Sequence, residues 1–389
     1  MKKISADYIF PGNSVPIKNG VIVIAENGVI ETILNPEFDE INWDDVEVHE
    51  GIICPGFVNT HCHLELSYLK GQLTEKTKLH GFVKEIIALR NNSSPEFREN
   101  AIKLAEQEML KNGIVAVGDI SNGDSTFSQK EKSILKYHTF VEVFGSDPKI
   151  ANDAFKHSEE IYNSYFNKKN ASITPHATYS VSDNLVKLIN EHSTKNNSLI
   201  SIHNQETASE NTYFEKGEGE IFEFLEISKK HNNQFKPTKK TALPSFLGKY
   251  KDLNKILLVH NTFTVKEDID WAKKYSNHIY WCFCPNANEY IEGKQPNYSL
   301  FTNEKCTIGT DSLASNWSLS ILDELKTISK KDPSISLTTL LKWATFNGAQ
   351  FLGFSKLGSI KKGKSPGLNL ISGISNSKLT EKSSVKKIL

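Results

Sequence analysis

Residues 55–67 read PGFVNTHCHLELS. The stretch is an apolar, strand-like run that ends in two histidines one residue apart, His61 and His63. Alternate side chains of a strand share a face. His61 and His63 therefore point one way with Asn59, while Val58, Thr60 and Cys62 point the other. Two imidazoles on one face at a strand end can close on one metal ion. A pair of histidines at this spacing also arises by chance, so the pair alone decides little. Its weight comes from downstream. A further strand-like run ends in His203, with Glu206 three residues on, another ends in His260, and a late one ends in Asp311.

Outward from this stretch the chain alternates between strand-like and helical runs. The strands are read at 57–63, 114–120, 139–144, 172–176, 199–203, 256–260, 279–283 and 307–311. Between them lie helical patterns such as Leu185, Leu188, Ile189 and His192, with Asp183 placed to cap their start. Eight strands alternating with helices over about 300 residues fit an α/β fold, a closed (β/α)8 TIM barrel. An open doubly wound sheet is the alternative, but it calls for a Gly-rich turn after the first strand, and none follows. The flanks differ. Residues 1–53 carry short apolar runs with Asn19-Gly20 and Asn27-Gly28 as hairpin signals, and a short strand is expected through Val46 and Val48. Residues 355–389 return to short apolar runs broken by Gly358, Gly363, Pro366 and Gly367. The expectation is a barrel over 54–354 and a small β-sandwich domain built from both chain ends, 1–53 and 355–389.

The composition excludes some partners. Of 389 residues, 38% are hydrophobic and 24% charged, and Lys plus Arg balance Asp plus Glu at 46 each. No net field draws the chain to nucleic acid or to an anionic membrane. Lysine pairs such as Lys229-Lys230 and Lys361-Lys362 read as solvated faces, and Asn232-Asn233 as a loop. No apolar run reaches the roughly 20 residues of a membrane span. Asp7 and Pro11 interrupt the N-terminus, so it does not read as a signal peptide. Five cysteines, an odd number clustered on strands, argue against a disulfide framework. A cytoplasmic protein is expected.

In barrels of this type the chemistry sits at the C-terminal strand ends. Here those ends carry His61, His63, His176, His203, His260 and Asp311. A single strand-end histidine is more often a hydrogen-bonded structural residue. Five strand ends with His or Asp are hard to ascribe to packing, because a buried imidazole or carboxylate costs several kcal/mol unless it is paired or metal-bound.

Taken together, PGFVNTHCHLELS, HNQE at 203–206, the His260 strand end, GTDSLASN at 309–316, PHATYSVS at 175–182, CPNAN at 284–288 and the tail GSIKKGKSPGLNLI resemble the amidohydrolase superfamily. The branch is that of metal-dependent aminohydrolases acting on heterocyclic rings, and the chain looks most similar to its aminodeoxyfutalosine, S-adenosylhomocysteine, adenosine-type and guanine deaminases. The resemblance implies that His61, His63, His203 and Asp311 bind one divalent metal, zinc or ferrous iron. Binuclear members use a carboxylated lysine at the end of strand four, and Ser172–His176 has no lysine. The resemblance further implies that Asp311 accepts a proton from a metal-activated water, that Glu206 shuttles protons to the ring nitrogen and the leaving ammonia, and that His260 orients the water and stabilises the adduct. Glu65 and His176 would contact substrate, and Ser312 and Asn316 would shape the loop after Asp311. Departures are Ala287 within CPNAN, and Asn204 and Gln205 within HNQE. The implied activity is hydrolytic deamination of an amino-heterocycle, with aminodeoxyfutalosine as the leading substrate. The alternatives are cyclic-amide or triazine chlorohydrolysis on the same metal, and a non-catalytic binding scaffold. The partner expected is a small heterocyclic molecule. A homodimer through outer helices fits barrels of this size, although no stretch of the sequence marks such a surface.

Overall fold

The structure is a computed structural model that describes residues 1–227, 235–250 and 254–389. Lys229-Lys230 and Asn232-Asn233 lie outside the described residues. Eight parallel strands follow one another along the chain. They are β1 (Phe57–Cys62), β2 (Ile114–Ser121), β3 (Lys136–Val143), β4 (Ala171–Pro175), β5 (Ile200–Asn204), β6 (Ile256–His260), β7 (Ile279–Phe283) and β8 (Cys306–Ile308). Hydrogen bonds run in order from β1 to β4 and from β5 to β8.

The two remaining seams close just past the strand ends. Between β4 and β5, Ala177 bridges His203, whose N–H donates to the His176 carbonyl at 2.9 Å. Between β8 and β1, Cys62 bridges Asp311, and the N–H groups of Thr310 and Asp311 donate to the His61 carbonyl at 3.0 and 3.1 Å. Both seams of the (β/α)8 barrel thus meet at residues singled out from the sequence as metal ligands.

The strands read as near-continuous apolar runs because both faces are covered, and every residue of β5, β6 and β7 is buried. Trp281, Trp343 and Cys62 pack in the main core. Helix 183–196 turns Leu185 and Ile189 inward. Its cap is Ser182, whose Oγ accepts from the Leu185 N–H, and Asp183 is the first helical residue, where its charge favours the N-terminus. The eighth strand is shorter than expected. It stops at Ile308, and Asp311 lies beyond it with φ 56°.

The chain ends share one sheet. Leu368–Ser372 pairs antiparallel with Val46–Pro55, which lies beside Lys2–Ile9. The expected sandwich takes the form of a continuous seven-stranded sheet whose alternating Ile4, Ile22, Ile24, Ile53, Leu368 and Leu370 share one apolar cluster. Asn27-Gly28 turns between two paired strands as the sequence suggests. Asn19-Gly20 does not make a hairpin, because the segments on either side of it both pair with Lys2–Ile9. The strand through Val46 and Val48 runs on for ten residues, since Lys2–Ile9 and the C-terminal strand flank it on both sides. Among the described residues no helix is long and apolar enough to cross a membrane.

Candidate metal and catalytic site

At the C-terminal mouth of the barrel the Nε2 atoms of His61 and His63 lie 3.2 Å apart, and those of His63 and His203 lie 3.3 Å apart. Asp311 Oδ1 is 3.6 Å from His61 Nε2 and 3.4 Å from His63 Nε2. Two nitrogens held about 2.0–2.1 Å from one ion at a tetrahedral angle are about 3.3 Å apart. The spacing matches that edge, and one proton cannot satisfy three crowded imidazole nitrogens at once. Three imidazoles and a carboxylate are a donor set for zinc or ferrous iron, so the residues fit a single divalent ion.

Local structure explains how these side chains arrive. The pairing of β1 with β2 shifts register between Asn59 and Cys62, and Asn59 is drawn off to Thr310, to which it both donates and accepts. That reciprocal pair ties β1 to the residue before Asp311. A Cβ on Gly309 would sit 2.8 Å from His61 Cβ, so only glycine lets the eighth strand end approach so closely. His63 lies one residue past β1, and the next N–H, that of Leu64, donates to Asp119 Oδ1 at 2.8 Å. Asp119 is in turn paired with Lys130 at 2.6 Å, with both side chains fully buried. His203 Nδ1 donates to the His176 carbonyl at 2.7 Å, which leaves Nε2 free to face the cluster. Asp311 Oδ2 accepts from Ser315 Oγ at 2.6 Å, and Asn316 pins the following loop through the Thr310 carbonyl and Glu324.

Burial pushes the His63 imidazole down to about 4 and lowers His61, His203 and His260 as well. The neutral form that results is the one that ligates metals. Burial alone would raise the Asp311 carboxyl, but its hydrogen bond with His61 and the neighbouring His63 and His260 imidazoles outweigh this and hold it well below the usual range.

Glu206 lies in the turn after β5, before helix 208–216, and is buried, so it is no surface acid. Its Oε1 is 3.7 Å from His260 Nε2. Burial, reinforced by Asp311, Glu292 and Glu210, drives its carboxyl well above the ordinary range, which favours the protonated acid. His260 Nδ1 meets Asn288 Oδ1, an acceptor, at 2.8 Å. Nδ1 therefore carries the ring proton and Nε2 presents a lone pair. The nitrogens of His61, His203 and His260 lie within 4.8 Å of one another. Gln205, His260 and Asp311 all take left-handed backbone, with φ of 47°, 74° and 56°. Such conformations cost about 1–3 kcal/mol each and persist where the surroundings over-determine them.

Glu65 and His176 stand at the edge of this cluster. Glu65 occupies the short turn 64–69 with the Asn122 N–H 3.1 and 3.2 Å from its two oxygens, so it is not an unpartnered loop acid. Burial lifts its carboxyl to about 7. The His176 ring lies 4.9 Å from that of His203 and 4.3 Å from that of Phe144.

Glu142, at the end of β3, escaped the sequence reading. Its Oε2 accepts from Asn122 Nδ2 at 3.0 Å, its Oε1 is 3.5 Å from His203 Nδ1, and burial lifts it to about 8. Its strand-end position was the only available signal. Asn288 and Ser315 were likewise missed, although both sit in quoted motifs. Segments that follow several strands contribute Tyr68, Phe82, Tyr179, Tyr213, Phe214 and Tyr290 to a second apolar cluster.

The profile of the Amidohydrolase family matches residues 52–388. The chain is 30% identical over 331 residues to the aminodeoxyfutalosine deaminase of a Nitratiruptor species, covering 82% of this chain and 78% of that protein. It is 28% identical over 348 residues to an adenosine deaminase of Helicobacter pylori, covering 87% and 82%. The crystal structure of Helicobacter pylori aminofutalosine deaminase in complex with methylthio-coformycin superposes with a TM-score of 0.78 at 24% identity, covering 98% of this chain and 94% of that one. The chain belongs to the amidohydrolase family and is an enzyme that hydrolyses carbon–nitrogen bonds.

Proposed function

We propose that the enzyme removes an exocyclic amino group from a purine-like heterocycle as ammonia, with aminodeoxyfutalosine as the leading substrate, and that His61, His63, His203 and Asp311 hold one zinc or ferrous ion. The observation that carries the reading is Glu206, a buried acid driven towards its protonated form beside His260 and the imidazole cluster. A hydrolase of plain amides has no need of an acid placed to protonate a ring nitrogen. The deaminase relatives support the same reading.

When bound, the cation lowers the pKa of water from about 15.7 towards about 7. Asp311 takes the proton of the attacking water. His260 Nε2 accepts a hydrogen bond from that water and then from the hydroxyl of the tetrahedral adduct, so it orients the first and steadies the second. Glu206 gives its proton to the ring nitrogen beside the attacked carbon, which makes that carbon electrophilic. The C–O bond forms; as the C–N bond breaks, the adduct hydroxyl gives its proton to the Glu206 carboxylate, which passes it to the amine so that it leaves as ammonia, and the proton held on Asp311 then restores the Glu206 acid. Glu65 and His176 contact the remainder of the substrate. Free, buried cysteines support a reducing compartment, and we place the enzyme in the cytoplasm, with a homodimer as its expected state.

The test is ammonia release by zinc- and iron-loaded protein from aminodeoxyfutalosine, adenosine, guanine and cytosine. Release of carboxylate or halide from cyclic amides or chlorotriazines, without ammonia from any of the four, overturns the reading. Glu206→Gln should keep its metal and lose about 10²–10⁴-fold in turnover. Turnover at the parent rate would remove Glu206 from the mechanism.

A further inference from the structure

Glu210 is a fully buried carboxylate to which the chemistry above gives no task. It sits in the first turn of helix 208–216, and three donors converge on it. Its Oε1 accepts the Gln205 N–H at 2.9 Å and the Thr178 hydroxyl at 2.6 Å, and its Oε2 accepts the Glu206 N–H at 3.1 Å. Gln205 is the residue with left-handed backbone, φ 47°, so the carboxylate binds both amides of the bend that turns the chain from β5 to Glu206. Thr178 belongs to the loop that also carries His176. One side chain thereby ties the two loops together. Gln205 is anchored a second time through its side chain, which donates to Asp268 at 2.7 Å and accepts from Thr264 at 2.6 Å.

A buried carboxylate is costly to keep unless its hydrogen bonds are made, and here they are made to the segment bearing the acid and to its neighbouring loop. An ordinary helix N-terminus offers its own first-turn amides. Here the amides bound lie four and five residues earlier, outside the helix. We propose that Glu210 is a positioning residue that holds the 205–206 bend and so aims the Glu206 carboxyl at the reacting ring. The inference rests on Glu206 being the proton shuttle. Glu210 makes no hydrogen bond to His61, His63, His203 or Asp311, and its effect on turnover runs chiefly through Glu206.

The experiment is a double-mutant cycle of Glu206→Gln and Glu210→Ala. It is read by steady-state ammonia release from aminodeoxyfutalosine and adenosine, by metal content, and by amide hydrogen exchange. Glu210→Ala should lower kcat about 10–100-fold with KM nearly unchanged and one metal still bound, the size typical of residues that orient a reacting group. Amides 204–207 should lose exchange protection while β5 and β6 keep theirs. The double variant should be little slower than Glu206→Gln alone, because a residue that works chiefly through Glu206 has little left to orient. Thr178→Val, which removes one donor of three, should show a smaller drop of the same kind and serves if Glu210→Ala does not fold. Full exchange protection of 204–207 in Glu210→Ala, or a double variant slower by the product of the single effects, overturns the assignment. Parent-rate turnover by Glu206→Gln would instead defeat the shuttle reading, whatever Glu210 does.

Discussion

Replacing Lys130 with Met should destabilise the protein by about 3–5 kcal/mol, the usual cost of stripping one partner from a buried ion pair. The ammonium lies 2.6 Å from Asp119, with neither side chain exposed, and also donates to Ser121 Oγ at 3.0 Å and Thr139 Oγ1 at 3.1 Å. Phe127, Tyr137 and Tyr165 surround it with ring centroids 5.5–5.9 Å away, so no water can take its place. Met matches the stem but leaves the Asp119 charge alone in the core. The double change Asp119→Asn with Lys130→Met keeps an acceptor for the Leu64 N–H and removes the orphan charge, so it should recover at least about 2 kcal/mol of the loss. Because Leu64 directly follows His63, the single variant should also bind zinc about 10–100-fold more weakly. Urea midpoints of metal-free protein give the first quantity, and chelator competition gives the second. A cost below about 1 kcal/mol for Lys130→Met, or a double variant no better than the single, would refute the view that a compensated charge holds the turn after β1.

Metal removal and acid should act in predictable directions. Free zinc at about 100 times its dissociation constant should stabilise the protein by about 2.7 kcal/mol against the chelated form, and Asp311→Ala should abolish that gain; thermal scans with and without chelator decide. His138 is buried against Ser172 Oγ at 2.8 Å, and burial, with Lys130 nearby, pushes its imidazole down to about 3. Unfolded histidine titrates near about 6.5. Between those values the unfolded chain binds a proton that the folded state refuses. The stability that His138 contributes is therefore full above pH ~6.5 and falls with decreasing pH by up to about 1.4 kcal/mol per unit. Metal-free His138→Gln should lose less stability than the parent between pH 7 and pH 5 by urea midpoint, and equal losses would contradict the argument.

The strands of the barrel were legible because each is a local pattern. Ile114–Ser121, Ile256–His260 and Ile279–Phe283 are apolar runs bounded by polar turns, and their type does not depend on what they pair with. The candidate ligands were legible because imidazoles and carboxylates at the ends of such runs are too costly to bury without a purpose. The single β-sheet at the chain ends was less so. Nothing local to Asn19-Gly20 says that both flanking segments pair with Lys2–Ile9.

By itself, the order of residues determined that apolar strands alternate with helices and that His61, His63, His203, His260, Glu206 and Asp311 fall where strands end. Closure of the barrel decided the rest. Asp119 finds Lys130 and the Leu64 amide, Asn288 finds His260, and Glu142 finds His203 only after segments dozens of residues apart are brought side by side. A hydrogen bond or ion pair acts over about 3 Å, and spacing along a chain carries no record of which distant groups will come within that reach.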